Sequence, residues 1–350
     1  MNKKIIFVIN SLKNRSGSER VACILANEIV RKLNYDVTII NRDANYSEVA
    51  YPIDQRILVK RVTGSQLNFY KGLVNFVNQH KPDVVVVHNM GKLSLLCALV
   101  PNIKKLVVLE HVSFISRPRI VQLFSRLLYK KVDQVVTLTT SDKVQFDKFH
   151  SNVTVIPNFS PYAVMNVEDL VQKKNQKQIV AIGRLTDQKN YIHLLKAWEK
   201  IFHQIPDWHL CIYGDGEHEA LLNKYIQSNL IQNVLLRSAT SNIKNVYESS
   251  QFFVMSSKYE GLPMVLIEAQ SFGLPIISYN CPYGPADIVK NHVNGFLVED
   301  QNIQELSDAI LALAMSPEML DFFSKNSLLN ARNFQSDRVI KLWAENVFRK

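Results

Sequence analysis

The sequence predicts an α/β protein made of two open parallel-sheet domains, and three observations carry that prediction. The chain has 350 residues, more than a single hydrophobic core comfortably organises. Short, nearly continuous apolar runs alternate with segments of helical periodicity, which is the pattern of a parallel sheet covered on both faces. After Ile156-Pro157-Asn158 the alternation stops, crosses a stretch poor in large apolar residues, and starts again.

From the start of the chain, Ile5–Ile9 reads as the first strand. That run is too short for the apolar core of a signal peptide, and no small-residue cleavage site follows it. Further strands are expected at Val37–Ile40, Val84–Val87, Leu106–Leu109 and Val135–Thr137, with helices between them such as Glu19–Leu33 and Leu67–Asn78. These elements make a first domain of residues 1–160. Residues 161–177 are expected to be a linker ending in the charged tract Lys173-Lys174-Asn175-Gln176-Lys177. A second domain, 178–335, holds strands at Ile179–Ile182, Leu210–Tyr213, Val234–Leu236, Phe252–Met255 and Pro275–Ser278. A last helix over 336–350 carries Val339, Ile340, Leu342, Trp343 and Val347 at helical spacing, which by itself lets it pack on either domain. No apolar stretch approaches the roughly 20 residues a spanning helix requires, so a soluble or peripheral protein is expected.

Composition narrows the function. Cys23, Cys97, Cys211 and Cys281 stand far apart without metal-ligand spacing, as reduced thiols in the cytoplasm would. The formal net charge is +10, and all of the excess lies in the first half: 23 Lys and Arg against 11 Asp and Glu in residues 1–160, but 18 against 20 in 161–350. Such a field attracts phosphates, whether of lipid headgroups, nucleic acid or a pyrophosphate-linked substrate, unless it is only a solvated basic face. No nucleic-acid-binding motif accompanies the charge, so no nucleic-acid partner is expected.

Ligands of open parallel sheets gather beyond the carboxyl ends of the strands. After the first strand comes Ser11-Leu12-Lys13-Asn14-Arg15-Ser16-Gly17-Ser18-Glu19-Arg20, a polar loop opening a helix whose free N–H groups can hold an anion. It lacks the three-glycine dinucleotide fingerprint, which argues against an NAD-dependent dehydrogenase. In the second half, Gly183-Arg184-Leu185-Thr186-Asp187-Gln188-Lys189-Asn190 places two cations five positions apart beside a helix start, a suitable partner for a diphosphate leaving group. Alone, such a pair is usually just solvated charge. The glycines of Tyr213-Gly214-Asp215-Gly216-Glu217 permit a tight turn near a ligand. The sharpest signal is Tyr259-Glu260-Gly261-Leu262-Pro263-Met264-Val265-Leu266-Ile267-Glu268, with Glu260 in a strand-end loop and Glu268 about two turns into the next helix. Carboxylates so placed can accept paired hydrogen bonds from sugar and ribose hydroxyls.

In that order and spacing, Gly183-Arg184-Leu185 with Lys189-Asn190, Gly214-Asp215-Gly216, and Glu260-Gly261-Leu262-Pro263 followed by Glu268 resemble the retaining glycosyltransferases of the family 4 type, over nearly the whole chain. Ser16-Gly17-Ser18-Glu19-Arg20 looks like that family's Gly-Gly-Ala-Glu-Arg loop, His111 resembles its active-site histidine, and Ile156-Pro157-Asn158 its interdomain segment. The resemblance implies the GT-B fold: two Rossmann-like domains facing a central cleft, the first for the acceptor and the second for the donor, with the C-terminal helix crossing back to the first. It implies that Arg184 and Lys189 bind the donor diphosphate, Glu268 the ribose hydroxyls and Glu260 the donor sugar. Gly17 would approach the donor phosphate and His111 would orient the transferred sugar. Gly183, Gly214, Gly216, Gly261, Leu262 and Pro263 complete the implied donor site. Two positions depart from the family pattern: Ser16 replaces the first glycine of a pair, and Gly284-Pro285 stands where a glycine pair is common.

Pro282-Tyr283-Gly284-Pro285-Ala286-Asp287-Ile288 and Asn294-Gly295-Phe296-Leu297-Val298 most resemble members that build capsule, exopolysaccharide or lipopolysaccharide. The implied reaction moves a hexosyl or N-acetylhexosaminyl residue from a nucleotide sugar, by resemblance a UDP-sugar, to a lipid-linked or growing surface glycan. No Asp-x-Asp motif occurs, so neither metal nor other cofactor is expected, and Arg184, Lys189 and backbone N–H groups would balance the diphosphate. Arg117, Arg119, Arg126, Lys130 and Lys131, beside an apolar face of Phe114, Ile120, Leu123, Phe124, Leu127 and Leu128, are expected to meet the acceptor or the anionic inner leaflet, which places the protein in the cytoplasm at the inner face of the membrane. The alternatives are a sugar-nucleotide epimerase of the same architecture, against which the Glu260–Glu268 string speaks, and a non-catalytic protein that binds anions or nucleic acid.

Overall fold

The computed structural model describes residues 2–13, 17–42, 49–89, 91–170 and 177–349. The chain divides into two compact units, Met1–Asn158 with Ser336–Lys350, and Phe159–Gln335.

Unit 1 runs β1 (Lys4–Ile9), α1 (Gly17–Leu33), β2 (Asp36–Asn41), β3 (Leu58–Arg61), α2 (Gln66–His80), β4 (Val84–Asn89), α3 (Leu93–Cys97), β5 (Leu106–Glu110), α4 (Arg119–Leu128), β6 (Gln134–Thr137), α5 (Thr140–Phe146) and β7 (Val153–Val155). Its seven strands form one parallel sheet in the order β3-β2-β1-β4-β5-β6-β7. β4 and β5 are buried along their whole length, which is why they read as unbroken apolar runs. The helices end where local chemistry stops them. Ser65 caps α2 by accepting a hydrogen bond from the Asn68 N–H at 3.2 Å, and Lys81 closes it in the left-handed conformation.

Unit 2 runs β8 (Gln178–Ile182), α6 (Tyr191–Glu199), β9 (His209–Tyr213), α7 (Glu219–Ser228), β10 (Val234–Arg237), α8 (Ile243–Glu248), β11 (Phe252–Met255), α9 (Met264–Ser271), β12 (Ile276–Tyr279), α10 (Pro285–Ile288), β13 (Gly295–Val298), α11 (Ile303–Met315) and α12 (Pro317–Ala331). The order β10-β9-β8-β11-β12-β13 is again all parallel. In both sheets the order reverses beside the first strand, between β1 and β4 and between β8 and β11, so each unit has a crevice at the carboxyl ends of those two strands.

Three strands had no counterpart in the expected set: β3, β7 and β13, every one an edge strand. Residues 161–170, expected as linker, pack on unit 2. Met165 N–H donates to Ser271 O at 2.8 Å and Tyr162 lies 5.2 Å from the Phe272 ring. Lys173, Lys174, Asn175 and Gln176 of the same stretch lie outside the described residues.

The final helix, α13 (Ser336–Asn346), belongs to unit 1. Val339, Ile340 and Trp343 are buried there, Lys32 Nζ bonds Asp337 Oδ1 at 2.5 Å, Lys105 Nζ donates to Val347 O at 2.7 Å and Gln134 Nε2 to Asn346 O at 3.1 Å. The Trp343 and Phe348 rings are stacked at 5.7 Å.

Candidate functional site

In unit 2 the loop after β8 and the loop after β11 meet at the crevice, and the contact between them is an ion pair. Lys189 Nζ lies 2.6 Å from Glu260 Oε1, with the side chains only 16% and 8% exposed. The backbone holds this pair in place: Lys258 N–H donates to Gln188 O at 2.9 Å, Gln188 Nε2 to Tyr259 O at 3.0 Å, and Ser256 Oγ to Lys189 O at 3.0 Å. Arg184 is exposed in the first loop, and its side chain makes no hydrogen bond or ion pair among the described residues, its carbonyl accepting from Thr186 N–H at 2.9 Å. Two of the cations read from sequence are therefore unlike each other: Lys189 is already neutralised by Glu260, whereas Arg184 is available to an anion.

The glycines explain how these loops come so close. Gly183 N–H donates to Tyr213 O at 3.0 Å, Leu185 N–H to Asp215 O at 2.9 Å and Gly214 N–H to Arg237 O at 2.9 Å, so the three strand-end turns form one backbone layer. A Cβ on Gly214 would stand 1.8 Å from Gly183 O, and one on Gly216 2.4 Å from Leu185 O. Gly284 has φ +88°, and a Cβ there would stand 1.8 Å from Gly261 O; the following Pro285 takes the first position of α10, where its fixed φ is favourable. Leu262 and Pro263 are buried behind Glu260 and lead directly into α9.

Glu268 lies little more than one turn into α9, not two, and is fully buried; its Oε2 accepts a hydrogen bond from Tyr247 O–H at 3.0 Å. A cavity of about 310 Å³ also exists in unit 2, but Lys177, Trp208 and Gln251, which line it, precede β8, β9 and β11. It thus sits at the opposite edge of the sheet from the ion pair.

Unit 1 builds its crevice from buried side chains. His88, on β4, and His111, just after β5, have ring centroids 5.2 Å apart and nearly parallel planes, and His88 Nδ1 is 3.0 Å from His111 Nε2. Burial holds His111 neutral, its pKa pulled down to about 4, and holds His88 well below the ordinary histidine range, helped by the neighbouring His111. Next to them, Glu110 takes hydrogen bonds from Arg117, from Tyr129 O–H and from Asn89 Nδ2 (3.0 Å). Although burial pushes the Glu110 carboxyl up, three converging donors and the Arg117 guanidinium favour its ionised form. The Arg117 guanidinium lies 5.4 Å from both the Phe114 and Phe146 ring centroids. A cavity of about 360 Å³ opens beside this cluster, lined by Asn10, Gly91, Lys92, Ser116, Arg117 and Pro118 among others.

Arg117 also lies elsewhere than expected. It was expected on the surface with Arg119, Arg126, Lys130 and Lys131, yet its side chain is 2% exposed and pairs with Glu110, itself 1% exposed. The fold surrounds the guanidinium with a carboxylate, a phenol and a serine hydroxyl, which offset the desolvation of its charge. Phe114 is likewise buried. The other four cations are exposed, and so are Ile120, Leu123, Phe124 and Leu127 of α4, at 65%, 54%, 47% and 54%. Gly17 is the first, exposed residue of α1, with open space where a Cβ would be. Asn14, Arg15 and Ser16 of its loop lie outside the described residues.

Sequence reasoning missed His88, Asn89, Glu110 and Tyr129. The signal for the first two was the polar pair that ends a run of four valines, since a strand's carboxyl end is where site residues collect.

Residues 15–160 match the model described as Glycosyltransferase Family 4 and residues 166–328 the one described as Glycosyl transferases group 1. The amylovoran biosynthesis glycosyltransferase AmsD of Erwinia amylovora is 32% identical over 351 residues, covering 97% of this chain and 98% of that protein. A GalNAc-alpha-(1->4)-GalNAc-alpha-(1->3)-diNAcBac-PP-undecaprenol alpha-1,4-N-acetyl-D-galactosaminyltransferase of Campylobacter jejuni is 26% identical, covering 96% and 91%. Among solved structures, Anabaena HepE in complex with UDP and glucose superposes with a TM-score of 0.83 at 18% identity over 100% of both chains, and S. aureus TarM with 0.81 at 15% over 98% and 99%. These structural likenesses establish the two-unit GT-B fold. With both family models matched in order along the chain and a relative this similar over its full length, the protein belongs to the family 4 glycosyltransferases.

Proposed function

We propose that the protein transfers a hexosyl or N-acetylhexosaminyl residue, with retention of anomeric configuration, from a UDP-sugar to a lipid-linked or growing surface glycan. The observation that carries this reading is the pairing of Lys189 with Glu260 at the unit 2 crevice, with Arg184, whose side chain pairs with none of the described residues, on the same loop as Lys189. The names of the relatives support the acceptor class, and UDP in the HepE complex supports the donor base.

In this reading Arg184 meets the donor diphosphate, and Lys189 divides its charge between that diphosphate and Glu260. As the glycosidic bond to phosphate breaks, negative charge grows on the leaving oxygen, and fixed cations stabilise it more than they stabilise the intact donor. No metal takes part. Glu260, held by Lys189, accepts hydrogen bonds from donor sugar hydroxyls, Glu268 serves the ribose and Gly17 approaches the phosphate. Retention follows when the acceptor hydroxyl attacks on the face the diphosphate leaves, its proton passing to the leaving phosphate oxygen. In unit 1 the cavity beside Arg117 and Lys92 receives the acceptor, and His111 orients the sugar.

The exposed apolar face of α4, flanked by Arg119, Arg126, Lys130 and Lys131, supports peripheral contact with an anionic leaflet, where a lipid-linked acceptor resides.

Ligand-induced thermal shift tests the donor assignment with UDP, GDP and a panel of UDP-sugars. UDP-sugars should stabilise the wild type and fail to stabilise Arg184→Ala/Lys189→Ala; absence of any nucleotide effect on the wild type would overturn the donor site. Sedimentation with anionic vesicles at low salt tests the membrane contact. Binding should weaken in Leu123→Ser/Phe124→Ser, while stability changes by no more than about 0.5 kcal/mol because both side chains are exposed. A wild type that stays in the supernatant would remove the membrane reading.

A further inference from the structure

We propose that His88 fixes the proton of His111, so that His111 presents an N–H, and not a lone pair, to the bound sugar. This rests on the reading of His111 as a residue of the transferred-sugar site.

The two rings share one hydrogen bond, between His88 Nδ1 and His111 Nε2 at 3.0 Å. Both imidazoles are neutral, so each carries a single N–H, and the bridging proton belongs to one of them. Two arrangements are open. If His111 donates, the proton of His88 must sit on its Nε2, an atom sealed from solvent and without a hydrogen-bond partner among the described residues. A buried orphan N–H of that kind is rare in folded proteins and costs the full desolvation of a donor. If His88 donates from Nδ1, its Nε2 is a bare lone pair facing the interior, and the proton of His111 moves to Nδ1. His111 is only partly buried, and its Nδ1 makes no hydrogen bond within the described chain yet is not sealed as His88 Nε2 is. A ligand oxygen or water can complete that N–H. The second arrangement leaves no N–H of the pair buried and unpaired, and the His88 ring is packed 4.7 Å from Phe7.

The chemical consequence is specific. With its accessible nitrogen protonated, His111 has no lone pair with which to take a proton from an acceptor hydroxyl at neutral pH. It donates a hydrogen bond to an oxygen, of a sugar hydroxyl or of a phosphate. His88 acts only through it, as a positioning residue.

Long-range ¹H–¹⁵N spectra of the full chain labelled at its nine histidines test this directly, with His111→Gln used to assign the His111 signals. Wild-type His111 should show a pyrrole-type Nδ1 and a pyridine-type Nε2. The pattern should persist in His88→Asn, whose amide occupies the place of Nδ1 and can donate, and should be lost in His88→Phe. A proton found on His111 Nε2 in the wild type would overturn the proposal, as would an unchanged pattern in His88→Phe. Should His88→Phe fail to fold, the wild-type and His88→Asn spectra still decide. Turnover of the UDP-sugar identified by thermal shift adds a second readout. kcat should fall on the order of tenfold or more in His88→Phe, with KM for the donor within about twofold, and recover in His88→Asn. A chain that turns over no nucleotide sugar would remove the transferase reading of the site and leave the spectroscopic result standing.

Discussion

The two crevices use the same sheet geometry and opposite materials. In unit 2 the site is made of backbone: three turns bonded main chain to main chain, with Gly214 and Gly284 where a Cβ would collide with a carbonyl. In unit 1 it is made of side chains, a histidine pair with one ring buried and one partly buried, and a buried carboxylate held by arginine, tyrosine and asparagine. Close backbone approach admits few residue types, so unit 2 writes its site as a string of glycines. Buried polar networks are assembled from common residues on separate strands, so unit 1 leaves almost no such string.

Arg117→Ala tests the contrast most severely. Leaving Glu110 buried without its cation should cost about 3–5 kcal/mol in chemical denaturation, whereas a surface cation would cost no more than about 0.5 kcal/mol. A cost under about 1 kcal/mol would return Arg117 to the surface row. Lys189→Ala should lower kcat/KM by about 10²- to 10³-fold. Lys258→Ala, which breaks the exposed pair with Asp187 at 2.6 Å between the same two loops, should change it by less than about threefold. Equal effects would mean that the loops, not the buried pair, set the rate.

The histidines supply a pH test. The folded pKa of His111 is depressed to about 4, while the unfolded chain has about 6.5. The unfolded state therefore binds the proton first, and stability falls as pH drops from about 6.5 to about 4, at up to about 1.4 kcal/mol per pH unit from this group. Equilibrium unfolding of His111→Phe across that range should show a shallower acid slope than the wild type; identical slopes would place His111 outside the core. The smallest effect separates two glycines. Gly214→Ala should destabilise by about 1–3 kcal/mol because carbonyl and methyl cannot share the space. Gly17→Ala, with nothing within 4 Å, should be neutral or stabilising by up to about 1 kcal/mol.

Most of the fold was legible because central strands are apolar on both faces. Phe252–Met255 was placed to the residue, and Val84–Val87 only two residues short of β4. The strands that escaped, β3, β7 and β13, lie at sheet edges and have three or four residues each; β3 (Leu58-Val59-Lys60-Arg61) alternates with solvent, so no apolar run announces it. The same logic separates the site residues. Lys189 and Glu260 were found as chemical types in loops, but their mutual bond joins positions 71 apart. Arg117 was misplaced because an arginine within a basic stretch reads as solvated, and only the fold brings Glu110 and Tyr129 around it.

The helix α13 gives unit 1 an unusual history during synthesis. Residues 1–158 are made before 336–349, yet the surface against which Val339, Ile340, Trp343, Val347 and Phe348 are buried stays bare until that later segment emerges. With 159–335 translated in between, at typical elongation rates, unit 1 waits about 10–35 s for its closing piece. Unit 1 is thus begun before unit 2 and completed after it, and loss of residues 336–350 would injure unit 1, not the unit nearer in sequence.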